Sequence, residues 1–216
     1  WDTQTGDLLM TLENADMQIT ALALSAQGEL ASGNSSGQIV RWNMETGEQI
    51  DTLPGHGERV TALAYSPDGD RLVSGGADTN LLLWDTTTGE RLLAMNDHAV
   101  SVTAVAYRPD GARFVSGDAE GRLLSWNTRD RFFVRNERRH SGRLITDIAY
   151  SPEGALLSAS QNGRFIYWAD FETGQRQTFD VLSSAGTEIT TVGFADETQV
   201  LLGTGRGDLL IYDLAS

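Results

Sequence analysis

The three histidines of this chain, His56, His98 and His140, are the residues whose type first suggests chemistry. His56 has Ser74 and Asp78 within a short stretch, the residue types of a hydrolytic triad. Imidazoles are also common zinc ligands. Spacing decides against the metal, because each histidine stands 28 residues before a tryptophan, at Trp84, Trp126 and Trp168. Equal register puts the three at equivalent points of successive units, where they cannot converge on one tetrahedral ion. No metal site is expected.

Two further groups carry charge in unusual places. Asp147 sits in an apolar run where the matching positions are Ala21, Ala62, Ala104 and Thr191. A channel-facing structural carboxylate and a contact to a partner or ion are both compatible with that placement. Six of the sixteen arginines, Arg129, Arg131, Arg135, Arg138, Arg139 and Arg143, cluster around Phe132 and Phe133. This local positive patch suits a docking edge for an acidic partner, since Arg and aromatic residues are favoured in interface cores. It equally suits a charged outer strand that resists edge-to-edge pairing.

The elements that position these residues are set by a repeat. Trp1, Trp42, Trp84, Trp126, Trp168 and Tyr212 follow one another at steps of 41, 42, 42, 42 and 44 residues. Within a unit, runs of four to six residues rich in β-branched types alternate with turn signals, a strand pattern rather than a helical one. The unit from Thr86 to Asn127 shows the order: an outer strand around Arg91 to Met95, an apolar strand Val102 to Tyr107, the turn Arg108-Pro109-Asp110-Gly111, then strands at Arg113 to Ser116 and Arg122 to Trp126. Pro presets φ in that turn and Gly accepts its left-handed position. A threonine recurs second in every apolar strand, as Thr20, Thr61, Thr103, Thr146 and Thr190. A sheet this small buries both faces only between similar sheets, and radial stacking does that while protecting edges. An all-β propeller of four-stranded antiparallel blades is therefore expected, as one domain over residues 1–216 with units 2–43, 44–85, 86–127, 128–169 and 170–213.

Gly55-His56 before the apolar strand, Ser66-Pro67-Asp68-Gly69 after it and Trp84-Asp85 at the close of the unit resemble the WD-repeat family, in its prokaryotic type. The resemblance implies seven blades, so the five units read as an amino-terminally truncated segment of a larger propeller, with a self-closed five-blade ring as the alternative. With five outer strands and five inner triplets, the strand near Asp7 to Leu12 could complete the sheet formed by Ile189 to Tyr212, and such an exchange would close a ring. The resemblance also implies a buried chain of His, Asp, Ser and Trp in each unit. His56, Ser74, Asp78 and Trp84 supply it in full. The next unit has His98, Ser116 and Trp126 with Glu120 in the acid slot, and the fourth has His140, Ser158 and Trp168 with Asn162 there. The first and fifth lack the histidine. Incomplete units are expected to be less rigid, and a serine bound to an indole N–H offers no open nucleophile.

Composition narrows the partners. The formal net charge of −14 opposes phosphate backbones and anionic lipid, so neither nucleic acid nor membrane is expected. All sixteen basic residues are Arg, a bias that fits a prokaryotic source, and the absence of Cys removes thiolate chemistry. The visible chain contains no signal-like or transmembrane stretch, and a cytoplasmic location is expected. Ligands of this family usually approach the face that carries the links before the inner strands and the Gly-rich turns. Arg59, Ser101, Arg143, Thr79, Glu120, Gln161 and Arg206 lie there and share no common chemistry. The expected function is a non-enzymatic protein-interaction scaffold or sensor module within a prokaryotic signalling protein, without a cofactor. The alternative is a lactonase-like propeller hydrolase, which needs titratable groups converging at the channel mouth, where Asp147 is the one candidate.

Overall fold

The computed structural model describes residues 2, 4–12, 17–128, 137–140, 144–181 and 188–214. These form nineteen strands in five antiparallel sheets. Sheet 1 contains β1 (Ile19–Leu24), β2 (Glu29–Asn34), β3 (Ile39–Asn43) and β4 (Gln49–Leu53). Sheet 2 contains β5 (Val60–Tyr65), β6 (Arg71–Gly76), β7 (Leu81–Asp85) and β8 (Arg91–Met95). Sheet 3 follows with β9 (Val102–Tyr107), β10 (Arg113–Asp118), β11 (Arg122–Asn127) and a short β12 (Glu137–Arg139). Sheet 4 is β13 (Ile145–Tyr150), β14 (Leu156–Ser160), β15 (Arg164–Asp170) and β16 (Gln175–Asp180). Sheet 5 has three strands, β17 (Ile189–Phe194), β18 (Gln199–Thr204) and β19 (Leu209–Asp213). No helix is long and apolar enough to cross a membrane among the described residues.

Sheets 1 to 4 each take their outer strand from the following sequence unit, so the covalent repeat and the folded sheet are offset by one strand. β8, for example, pairs with β7 although the tryptophan of its own unit is Trp126. The expected turns form as their residues demand: Gly69, Gly111 and Gly154 take φ of 76°, 66° and 91°. Only glycine adopts that region without strain.

The innermost strands pack in chain order, β1 on β5, β5 on β9, β9 on β13 and β13 on β17. The core lies between consecutive sheets. Ala31, Ile39 and Leu53 of sheet 1 meet Val60, Leu63, Tyr65 and Trp84 of sheet 2. Val73, Leu81, Leu83 and Met95 of sheet 2 likewise meet Val102, Val105, Tyr107 and Trp126 of sheet 3. A small residue on each second strand permits this approach. A Cβ on Gly33 would lie 2.5 Å from Val60 Cγ1, one on Gly75 2.6 Å from Val102 Cγ1, and one on Gly117 2.7 Å from Ile145 Cγ2. The first branched residue of sheets 2, 3 and 4 thus plugs a glycine socket in the sheet before it. Polar staples cross the same seams: Arg41, 2% exposed, binds Asp51 through Nε at 2.9 Å and Nη2 at 2.6 Å, and donates to the Thr86 carbonyl of sheet 2.

Residues 7–12 do not join sheet 5. They run outside any strand, with Leu8 and Leu9 exposed, and Met10 Sδ lies 2.5 Å from where a Gly47 Cβ would be, at the outer edge of sheet 1.

Candidate interaction face

The histidines lie where the link into each inner strand meets the turn between the second and third strands. In sheet 2 the chain of bonds is complete. Trp84 Nε1 donates to Ser74 Oγ at 3.1 Å, Ser74 Oγ lies 2.8 Å from His56 Nε2, and His56 Nδ1 lies 2.9 Å from Asp78 Oδ1. With the indole as a donor only, the consistent direction runs from Trp through Ser and a neutral His to the carboxylate. Burial pushes the His56 imidazole below its ordinary value, against the raising effect of Asp78. Burial alone would raise Asp78, but the Gly57 N–H and then His56 hold it below the usual carboxylate range.

Sheet 3 departs from the expectation in its acid. Glu120 is exposed and does not reach the histidine; His98 Nδ1 is bound by Asp118 Oδ2 at 2.8 Å, with Nε2 2.7 Å from Ser116 Oγ and Trp126 Nε1 donating to the same oxygen at 2.8 Å. Register gives the reason. Asp118 pairs with Val102 as Gly76 pairs with Val60, so the carboxylate comes from the end of the strand rather than from the turn. In sheet 2 that space is filled by Asp78 and His56, and any Cβ on Gly76 would collide with both. The sequence signal was the change from Ser74-Gly75-Gly76 to Ser116-Gly117-Asp118. Sheet 3 is therefore as fully networked as sheet 2.

Of the three sheets that carry a histidine, sheet 4 is the incomplete one. Trp168 Nε1 donates to Ser158 Oγ at 2.9 Å, but His140 Nε2 donates to the Ser158 carbonyl at 3.1 Å and Nδ1 is buried without a partner among the described residues. Asn162 bonds Ser160 instead of the histidine. Burial lowers the His140 pKa to about 4.

Above these networks lies one rim. Backbone bonds from Ala77, Ala119, Gln161 and Gly205 to the carbonyls of Arg59, Ser101, Leu144 and Glu188 tie each turn to its link. Arg59, Glu120, Gln161 and Arg206 are exposed on it, while Thr79 and Ser101 are partly covered. Thr79 has φ of 70°, the one positive value outside glycine among the described residues. Gln161 Nε2 donates to Glu188 Oε1 at 3.0 Å. The rim surrounds a mouth of about 530 Å³ lined by Arg59, Thr61, Ser101, Thr103, Thr146 and Thr190, among others. Leu144, not Arg143, occupies the link position of sheet 4; Arg143 itself lies outside the described residues.

Asp147 is spent inside the protein. Its Oδ2 accepts from Thr191 Oγ1 at 2.7 Å and from Val192 N–H at 2.9 Å, and Oδ1 accepts from Ile148 N–H at 2.8 Å. It latches β13 to β17. Burial raises its pKa, which the Thr191 and backbone bonds only partly offset. Of the arginine cluster, Arg129, Arg131, Arg135 and Arg143, with Phe132 and Phe133, lie outside the described residues. Arg138 stacks 5.8 Å over Phe171 and donates to the Glu172 carbonyl at 2.7 Å, and Arg139 pairs with Glu137 at 3.3 Å. The two described members thus hold sheet 3 to sheet 4 and to itself.

Comparison with known proteins agrees with this geometry. Solved structures of similar fold include one described as U3-55K (TM-score 0.84, 19% identity, 95% of this chain and 64% of that one). A chain of the mitotic checkpoint complex gives 0.86 and 22%, over 99% of this chain and 67% of its own length. The WD40 repeats of RRP9 give 0.84 and 19%, over 95% and 63%. This chain thus spans about two thirds of the length of these three solved chains. No curated protein matches the sequence. The family model for the WD domain, G-beta repeat, matches residues 47–85, 89–127 and 133–169, which together make up more than half of the sequence. On these repeats and the sheets they form, the chain belongs to the WD domain, G-beta repeat family.

Proposed function

We propose that the chain is a non-enzymatic protein-interaction module, the scaffolding or sensing part of a larger prokaryotic regulatory protein. WD repeats typically serve as protein-interaction scaffolds. The observation that carries the reading is a rim of unlike exposed side chains, Arg59, Glu120, Gln161 and Arg206, set on turns anchored to the sheets beneath them. In sheets 2 and 3 buried His–Asp–Ser–Trp chains add to that anchoring. A fully satisfied buried network rigidifies what it supports. A rigid, repetitive and chemically varied surface suits an extended protein segment better than one small molecule. The hydrolase alternative finds no support at Asp147, whose two oxygens already accept three protein donors. The prokaryotic context rests on the exclusive use of Arg among basic residues.

The test is affinity capture with chemical cross-linking from the parent cell, comparing the chain with Arg59→Glu combined with Glu120→Arg. Captured partner should fall about tenfold or more, as expected for loss of interface charges, while Tm stays unchanged. Capture that is indifferent to both reversals, at equal Tm, would reject the rim as the binding surface.

A further inference from the structure

The face opposite the rim is made of the turns that join first to second and third to fourth strands, because each strand of an antiparallel sheet reverses the one before it. Its hairpin tips are acidic. Asp68, Asp70, Asp110, Glu153, Asp196 and Glu197 stand exposed at the turns after the inner strands, with Arg108 as the one base among them.

At the seam between sheets 2 and 3 this face opens into a cavity of about 280 Å³, lined by Ser66, Asp68, Asp70, Arg71, Tyr107 and Asp110, among others. Tyr107 is 9% exposed, and its hydroxyl is buried without a partner among the described residues. A phenol O–H can both donate and accept, and a buried one that does neither is destabilising until something reaches it. The carboxylates beside it are only partly used. Asp68 Oδ1 accepts from Ser66 Oγ at 2.5 Å and from the Asp70 N–H at 3.2 Å, while the Asp70 carboxylate has no hydrogen bond or ion pair among the described residues. Arg71 lines the same wall, but its Nη1 is held by the Thr128 carbonyl at 2.8 Å and the carboxylates outnumber it.

The neighbouring seams differ. Between sheets 1 and 2, Arg41 takes both oxygens of Asp51 and reaches Glu29 at 3.3 Å. Between sheets 3 and 4 the cavity is lined by Arg108 and Arg113 together, the latter paired with Glu172 at 2.7 Å. Of these three cavities, the one between sheets 2 and 3 combines an excess of carboxylate with an unanswered hydroxyl in its wall.

We propose that this cavity receives a lysine or arginine side chain from a basic segment of a protein partner, with Asp68 and Asp70 pairing its charge and the Tyr107 hydroxyl accepting one of its N–H groups. Charge selects the class. A chain of net charge −14 draws cations, and charge-assisted bonds to carboxylate and hydroxyl favour a cation that carries N–H donors. The site is separate from the rim, which lies at the other end of every strand.

The test is fluorescence anisotropy of a labelled tetra-arginine peptide with the 216-residue chain at fixed ionic strength. Asp70→Asn should weaken binding about tenfold, and Tyr107→Phe, which leaves every charge in place, about fivefold, neither lowering Tm. Glu197→Gln, the same loss of charge at the tip of sheet 5, should change affinity less than about twofold. No saturable binding, or equal weakening by Asp70→Asn and Glu197→Gln, would leave only a diffuse acidic field and overturn the proposal. Unchanged affinity in Tyr107→Phe would do the same, and tighter binding in Arg129→Ala would give the cavity to the residue that follows Thr128 in this chain. Binding should survive Arg59→Glu combined with Glu120→Arg; loss there would move the peptide to the rim and overturn the proposal while leaving the rim reading intact.

Discussion

At the scale of single residues, the chemistry suggested by type is turned inward. Ser74 is fully buried, and its Oγ is shared between an indole N–H and an imidazole, so a group that in an open cleft would be a nucleophile acts here as a link. The acid of sheet 3 gives the sharpest check. Asp118→Ala leaves His98 and the amides of Glu120 and Arg122 without their acceptor, and should cost about 1–3 kcal/mol in urea unfolding. Glu120→Ala, on an exposed side chain, should stay within about 0.5 kcal/mol. The reverse ranking would restore Glu120 to the acid slot. Sequence made the His, Ser and Trp legible because their spacing is fixed by strand length. The acid was misread because two different backbone positions, one at a strand end and one in a turn, can deliver a carboxylate to the same imidazole.

At the scale of elements, the strands and their turns were readable almost throughout, since period-two apolar runs and Pro-x-Gly turns are local signals. What was hidden is the seam. Gly75 reads in sequence as one more turn-proximal glycine, and only the approach of Val102 shows that its missing side chain is what lets two sheets close. Gly75→Ala should destabilise by about 1–3 kcal/mol through overpacking, and Val102→Ala, itself destabilising by the cavity it leaves, should recover part of that loss in the double variant. Additive losses in a urea-unfolding cycle would show that the two residues are not in contact. Asp147 was equally opaque. Its apolar surroundings were visible in the sequence, but its partners Thr191 and Val192 are more than forty residues away.

At the scale of the whole molecule, the sequence leaves the number of blades open, because it depends on surfaces whose counterparts no local pattern describes. The acid response is a property of the ensemble of buried networks. His56 and His140 have lowered pKa values, burial being the first cause, so the unfolded chain binds their protons more readily than the folded one. Stability from them is intact above the ordinary imidazole value of 6.5 and is lost as pH falls from there toward the folded values, about 4 for His140. Asp78 and Asp118, held below 3.8, add a further loss at still lower pH. Asp147, raised by burial, acts in the opposite sense, since its ionised form is disfavoured in the fold and that penalty eases as pH falls. Within the window between pH 6.5 and 4 the two histidines act against Asp147, and a declining Tm is expected there in scanning calorimetry. The slope should be shallower in His140→Phe, and a flat profile would contradict the assignment of neutral imidazoles.

One seam differs from the others in a way that bears on how the molecule comes apart. Where sheets 1 to 3 offer glycine to the next sheet, sheet 4 offers Ala159 to Ile189, and the polar Asp147 latch fastens the same junction. A methyl group takes the place of a glycine hydrogen at this seam, and the buried Asp147 clasp adds hydrogen bonds that the other seams do not have. The fifth sheet, with three strands where the others have four, should be the first to open on heating while the remaining four stay shut.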